Sequence, residues 1–169
     1  LVIFLNGFVQ TVMEFRPEYY AVLEVLSTGA KTVKEVAELV DMEPHDVEAV
    51  LSALIGQGLA ERRDKGLLFK KEAYVLTERG WEVLYKWREE VQKRVEKAAE
   101  LRRAGRAEEA EEVLAPVGSV LPLMLSLGLL DMALYAAALG QLATLEKSAE
   151  LSAEVFDGGE SDFDVGDEI

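Results

Sequence analysis

Between Pro17 and Gly58 the chain is cut into three short amphipathic segments by residues that start and stop helices, and this punctuation constrains the fold more than any other feature. In "RPEYYAVLEVLSTG", Pro17 suits a first helical turn, where a missing N–H costs nothing. Tyr20, Leu23 and Leu26 come next at helical spacing, and Gly29 stops the run. In "TVKEVAELV", Thr32 and Glu35 have the spacing of a capping box, in which hydroxyl and carboxylate each accept the other residue's free backbone N–H. Val33, Val36, Ala37 and Val40 then form one apolar face. After the short "DME", Pro44 opens a third helix with Val47, Val50, Leu51 and Leu54 inward and Gly58 as its stop. Such close spacing of the second and third helices predicts a helix-turn-helix.

The stretch after the third helix predicts a wing. "LAERR" and "LLFKKEAYVLT" read as two strands joined through "DKG", and Thr77 then caps a long helix running to about Arg103. The opening "LVIFLNGFVQTVM" fits either a strand or a short helix over the core, and it lacks the basic region of a signal peptide.

The run from Glu18 to Leu84, two-fifths of the chain, resembles winged helix-turn-helix transcription regulators of the broad MarR/PadR-like kind. "TVKEVAELVDMEPHDVEAVLSALIGQGLAERR" and "AYVLTERGWEVL" carry the resemblance. It implies that the third helix enters the major groove, that the wing touches the backbone or minor groove, and that the helix after the wing builds a dimer. The expected fold is mainly α with a small β-hairpin wing: a winged helix-turn-helix domain succeeded by a long helix and a C-terminal helical region. The expected divisions are an apolar N-terminal segment (1–13), the winged helix-turn-helix (14–77), the long helix and its extension (78–115), an apolar helical segment (116–150) and an acidic tail (151–169).

The charge is −14 overall but unevenly spread. Residues 1–103 hold 16 Lys/Arg against 18 Asp/Glu, whereas residues 104–169 hold 2 against 14. On the third helix the outward positions are His45, Asp46, Glu48, Ala49 and Ser52, with no lysine or arginine. Acidic groups there repel the phosphates that supply most affinity for DNA. Arg62, Arg63, Lys65, Lys70 and Lys71 instead cluster on the wing, with Arg79, Lys86 and Arg88 beyond it. This places duplex contact chiefly on the wing, with His45 and Ser52 as weak contributors and low sequence specificity.

On the long helix, Trp81, Leu84, Val91 and Val95 form a candidate dimer stripe that Arg88 and Arg102 interrupt, so packing against the C-terminal region is the competing reading. Residues 120–139, "VLPLMLSLGLLDMALYAAAL", are apolar on every helical face and carry one charge, Asp131. Such a segment is buried in protein or in lipid. Pro122, Gly128 and Asp131 favour a helix pair or bent helix in a dimer core, with Leu125 and Leu129 at the interface and Asp131 as a cap. The alternative is a membrane anchor.

The last residues, with eight acids after Lys147 and Phe156 and Phe163 among them, read as a disordered tail. The chain has no cysteine and one histidine, which removes thiolate chemistry and any paired-imidazole metal site. No catalytic constellation is present, and no cofactor is implied. A single asparagine and 30% charged residues lean toward a heat-adapted cytoplasmic protein. The expected function is a dimeric DNA-binding regulator. The alternatives are a protein-interaction module presenting the acidic third helix to a basic partner, or a membrane-tethered winged helix.

Overall fold

The computed structural model describes residues 2–5, 8–11, 13–141, 147 and 150. At the N-terminus, β1 (Val2–Leu5) and β2 (Phe8–Thr11) pair as an antiparallel hairpin, which decides between the two forms open for this stretch. The expected acidic tail, residues 151–169, lies outside the described residues.

Three helices stand where the punctuation puts them: α1 (Pro17–Ser27), α2 (Val33–Val40) and α3 (Pro44–Gly56). The capping box forms at α2, with the Glu35 N–H donating to Thr32 Oγ1 at 3.3 Å and the Thr32 N–H donating to Glu35 Oε2 at 2.7 Å. The turn into α3 passes through Asp41 in the left-handed region, which aspartate tolerates better than most side chains. Val47, Val50, Leu51 and Leu54 are buried, as their spacing requires.

The wing is built from β3 (Ala60–Lys65) and β4 (Lys71–Leu76), antiparallel and in register from Ala60 opposite Leu76 to Lys65 opposite Lys71. Its base is held on two sides. The Tyr74 N–H donates to the Lys31 carbonyl at 2.8 Å and the Lys31 N–H returns a bond at 3.1 Å, so the α1–α2 connection acts as a one-residue third strand. On the other side, Thr77 Oγ1 donates to the Gly58 carbonyl at 2.6 Å while accepting from the Gly80 N–H at 3.0 Å. Gly80 is required by contact: a Cβ there would lie 2.0 Å from the Leu59 carbonyl oxygen.

The hairpin differs from expectation at its tip. "DKG" is not the joint, because Asp64 and Lys65 still belong to the strand, and "LLF" is not strand. A five-residue loop, Gly66 to Lys70, joins the strands. Gly66 starts it at φ +106°, where a Cβ would lie 2.6 Å from the Phe69 carbonyl oxygen, so only glycine fits.

The long helix α4 (Glu78–Arg103) spans 26 residues, roughly 39 Å. One face carries Leu84, Trp87, Val91, Val95 and Ala98, all buried at spacings of three and four. Against it pack α5 (Ala107–Leu114) and, past α6 (Leu121–Ser126), α7 (Met132–Leu139). Ala136, Ala137 and Ala138 are buried, and such short side chains allow close helix approach. One apolar cluster therefore runs from Tyr20 to Ala138.

In this half the helix pair favoured over a membrane anchor is present, with Asp131 as the cap of its second helix. Residues 120–139 do not form one spanning helix: Gly128 turns the chain in the left-handed region, and Asp131 caps α7 by accepting from the Leu134 N–H at 3.0 Å. Among the described residues no helix is long and apolar enough to cross a membrane. The basic interruptions of the α4 stripe are also used inward. Arg102 Nε donates to the Ala138 carbonyl at 3.2 Å, satisfying the end of α7, and Arg88 is bound to α1.

Candidate nucleic-acid interface

The helix-turn-helix presents α3 with its polar face outward. His45, Asp46, Glu48, Ala49 and Ser52 are all exposed. His45 Nδ1 lies 3.0 Å from an Asp46 carboxylate oxygen, so the one imidazole faces an acid of its own helix. The outer face of α3 is thus acidic in space as well as in sequence, and neither His45 nor Ser52 is joined by a cation on this helix.

The five wing cations are exposed, and four of them are already paired. Arg62 meets Glu72 at 3.0 Å, Arg63 meets Glu61 at 2.8 Å, Lys65 meets Glu35 at 2.9 Å and Lys70 meets Asp64 at 3.8 Å. Among the described residues Lys71 makes no ion pair. Solvent screens such pairs, and each contributes about 0–1 kcal/mol to stability. The Glu72 carboxylate also accepts from Tyr74 Oη at 2.7 Å; burial, and then this bond, push the Tyr74 phenol above its ordinary pKa. Glu35 ties the wing to the helix-turn-helix. The Thr32 backbone N–H first, and the Lys65 ammonium second, hold its carboxyl down at about 2.

Sequence reasoning misses one surface feature, the loop tip. Leu67, Leu68 and Phe69 are 99%, 90% and 83% exposed, next to Lys65, Lys70 and Lys71. Their apolar character reads as strand in sequence, and the signal that places them in a loop is Gly66 just before them.

Arg88, which the sequence groups with the outward cations, is not one of them. Its guanidinium donates from Nε to Glu24 Oε1 at 2.9 Å and from Nη2 to Oε2 at 2.7 Å, and Tyr20 Oη donates to Oε1 at 2.5 Å. Glu24 is completely buried, and burial, then the Glu24 bond, drive the Tyr20 phenol far above its ordinary range. The Glu24 bond raises the Arg88 guanidinium. With both carboxylate oxygens occupied, the cluster fastens α1 to α4 rather than offering a site.

The candidate dimer residues divide into two groups. Leu84, Val91 and Val95 are buried in the chain's own core, Trp81 and Leu129 are half-buried against it, and Leu125 is half-buried. Trp87, which no sequence signal distinguishes from Trp81, takes the buried aromatic place beside Phe15, with ring centroids 5.5 Å apart. Trp81 stacks instead on the exposed Tyr85 at 5.7 Å. Among the described residues no cluster of His, Cys, Asp or Glu could hold a metal ion.

Three helices, a close turn between the second and third, and a two-stranded hairpin ahead of a long helix define a winged helix-turn-helix fold in a mainly helical chain. Among solved structures the chain is similar to a MarR family regulator from Neisseria meningitidis, with 22% identity, coverage of 86% of this chain and 82% of that one, and a TM-score of 0.36. No protein-family model and no curated protein matches it.

Proposed function

We propose that this chain is a winged-helix transcriptional regulator that binds duplex DNA chiefly through its wing, with little sequence preference, and acts as a homodimer. The observation that carries the reading is the placement of Arg62, Arg63, Lys65, Lys70 and Lys71 together on an exposed hairpin beside a helix-turn-helix. Four of these cations exchange a carboxylate of their own chain for a phosphate on binding, at small cost because the pairs are exposed. Contacts of this kind position a protein on DNA and read no sequence. For the dimer, Trp81 and Tyr85 on α4 together with Leu125 and Leu129 offer the apolar surface, since Leu84, Val91 and Val95 are already used inside the chain.

The test is duplex binding at low salt by the full chain and by its Lys70→Ala/Lys71→Ala variant. The native chain binds several unrelated sequences with similar affinity, and the variant loses about tenfold uniformly, with a smaller salt slope. No binding by the native chain overturns the reading.

The acidic outer face of α3 favours a second reading, in which Asp46 and Glu48 meet a basic protein partner. Asp46→Asn/Glu48→Gln tests the second reading. Unchanged or higher duplex affinity agrees with either reading, while loss of duplex affinity counts against the partner-binding role.

A further inference from the structure

We infer that Leu67, Leu68 and Phe69 form an apolar wedge that enters duplex DNA at a base step and partly unstacks it, while Lys65, Lys70 and Lys71 hold the neighbouring phosphates. This rests on the proposed DNA binding and adds to it the part of the duplex that the wing tip recognises.

Three large apolar side chains stand almost wholly in water at the end of the hairpin. The strands stay in register as far as Lys65 opposite Lys71, and the turn at Gly66 admits no other residue, so the fold presents these side chains in a loop of set length. Scattered exposed leucines need no explanation, but a contiguous apolar cluster rimmed by charge marks a contact surface. The rim defines the partner: from Ala60 to Leu76 five cations stand against three carboxylates, and Lys71 is unpaired among the described residues. The partner is therefore anionic on the outside with an apolar surface within reach of a narrow tip.

Phosphates offer leucine and phenylalanine nothing, and the apolar group at the groove edge, the thymine methyl, is too small to cover three such side chains. The apolar surface of a duplex is the faces of its bases, which become accessible when a step opens, and proteins that kink DNA use Phe and Leu for this purpose. An anionic membrane has the same two properties. It presents its charge to a whole side of the protein, however, and so also meets the exposed acidic face of α3 with Asp46 and Glu48. A duplex meets the local positive excess of the hairpin alone.

The experiment uses the full chain and the variant Leu67→Ser/Leu68→Ser/Phe69→Ser, whose changes lie outside the core and leave the thermal transition in place. Affinity is measured for one short duplex, for the same duplex with a single mismatch, and for phosphatidylserine vesicles. Because the mismatch has already lost stacking, the native chain binds the mismatched duplex about tenfold tighter, and 2-aminopurine beside it brightens on binding. The variant binds both duplexes alike and keeps the native salt dependence.

Equal affinity of the native chain for the two duplexes, or a variant that retains the preference, overturns the wedge and leaves wing-led binding intact. Vesicle binding that the variant loses, with duplex binding unaltered, also overturns the wedge and assigns the tip to membranes. No binding of the native chain to either duplex overturns the wedge together with the DNA-binding reading.

Discussion

Glu24–Arg88 and the ion pairs along the wing use the same kinds of group at similar distances, and they do opposite things. The first has its carboxylate fully buried, both oxygens bonded by Arg88 and one also by Tyr20. The wing pairs stand in solvent, with every side chain between 42% and 72% exposed. Burial turns a pair into a lock, since removing Arg88 strands the Glu24 charge where water cannot reach it. Exposure turns a pair into a reversible placeholder, since water or another anion can replace either member. The surroundings, rather than the pairing itself, separate a residue that holds the fold from one available to a ligand.

The largest break in this comparison comes at the lock. Arg88→Met leaves Glu24 buried with Tyr20 alone, and urea denaturation registers a loss of about 3–5 kcal/mol. Replacing both members, Glu24→Leu with Arg88→Met, recovers most of it, because an apolar pair needs no compensation for burial. A double variant as unstable as the single one breaks the comparison on this side.

A smaller effect on stability, and a larger one on binding, is expected at the wing. Glu61→Gln/Asp64→Asn/Glu72→Gln frees Arg63, Lys70 and Arg62 and changes unfolding free energy by less than about 1 kcal/mol. Duplex affinity at low salt rises about tenfold. In the native chain each released carboxylate recaptures a counter-cation, so the salt slope is shallower than about 0.9 per contacted phosphate; in the variant it steepens toward that figure. An unchanged slope breaks the placeholder reading.

The smallest effect lies at Glu35, which shares features of both kinds: it caps α2 and pairs with the exposed Lys65. Its carboxyl is held at about 2 in the fold against an ordinary 4.5, so the charged form is favoured by folding. Its contribution is complete above about pH 4.5 and disappears as pH falls toward 2. The stability difference between the native chain and Glu35→Gln therefore shrinks across that window in acid titrations monitored by circular dichroism, and a difference independent of pH overturns the assignment.

Legibility in the sequence tracks the range of the interactions. The α2 cap and the inward face of α3 are fixed by residues three or four apart, and the structure has both where the spacing puts them. The cap on α7 is legible for the same reason, with Asp131 three residues before Leu134. Glu24 and Arg88 are 64 positions apart, and nothing local marks either as buried, so Arg88 reads as a surface cation. Trp81 and Trp87 both fit a helical stripe at this range, and only the position of α1 and Phe15 decides that Trp87 goes inside. At the wing, the composition of "LLF" outweighs the one glycine that starts the turn. The acidity of α3 is legible outright, whereas the pairing of the wing cations requires the register of β3 on β4.

The bridge between Lys31 and Tyr74 makes the hairpin a cantilever. Its root is clamped to the α1–α2 connection and its far end is free, so a load on the tip is not absorbed by the loop but is carried back along β4. It arrives at Lys31, one residue before the Thr32 that caps α2. Whatever seizes the tip thereby pulls on the first turn of α2, which gives this hairpin a mechanical line into the helix-turn-helix.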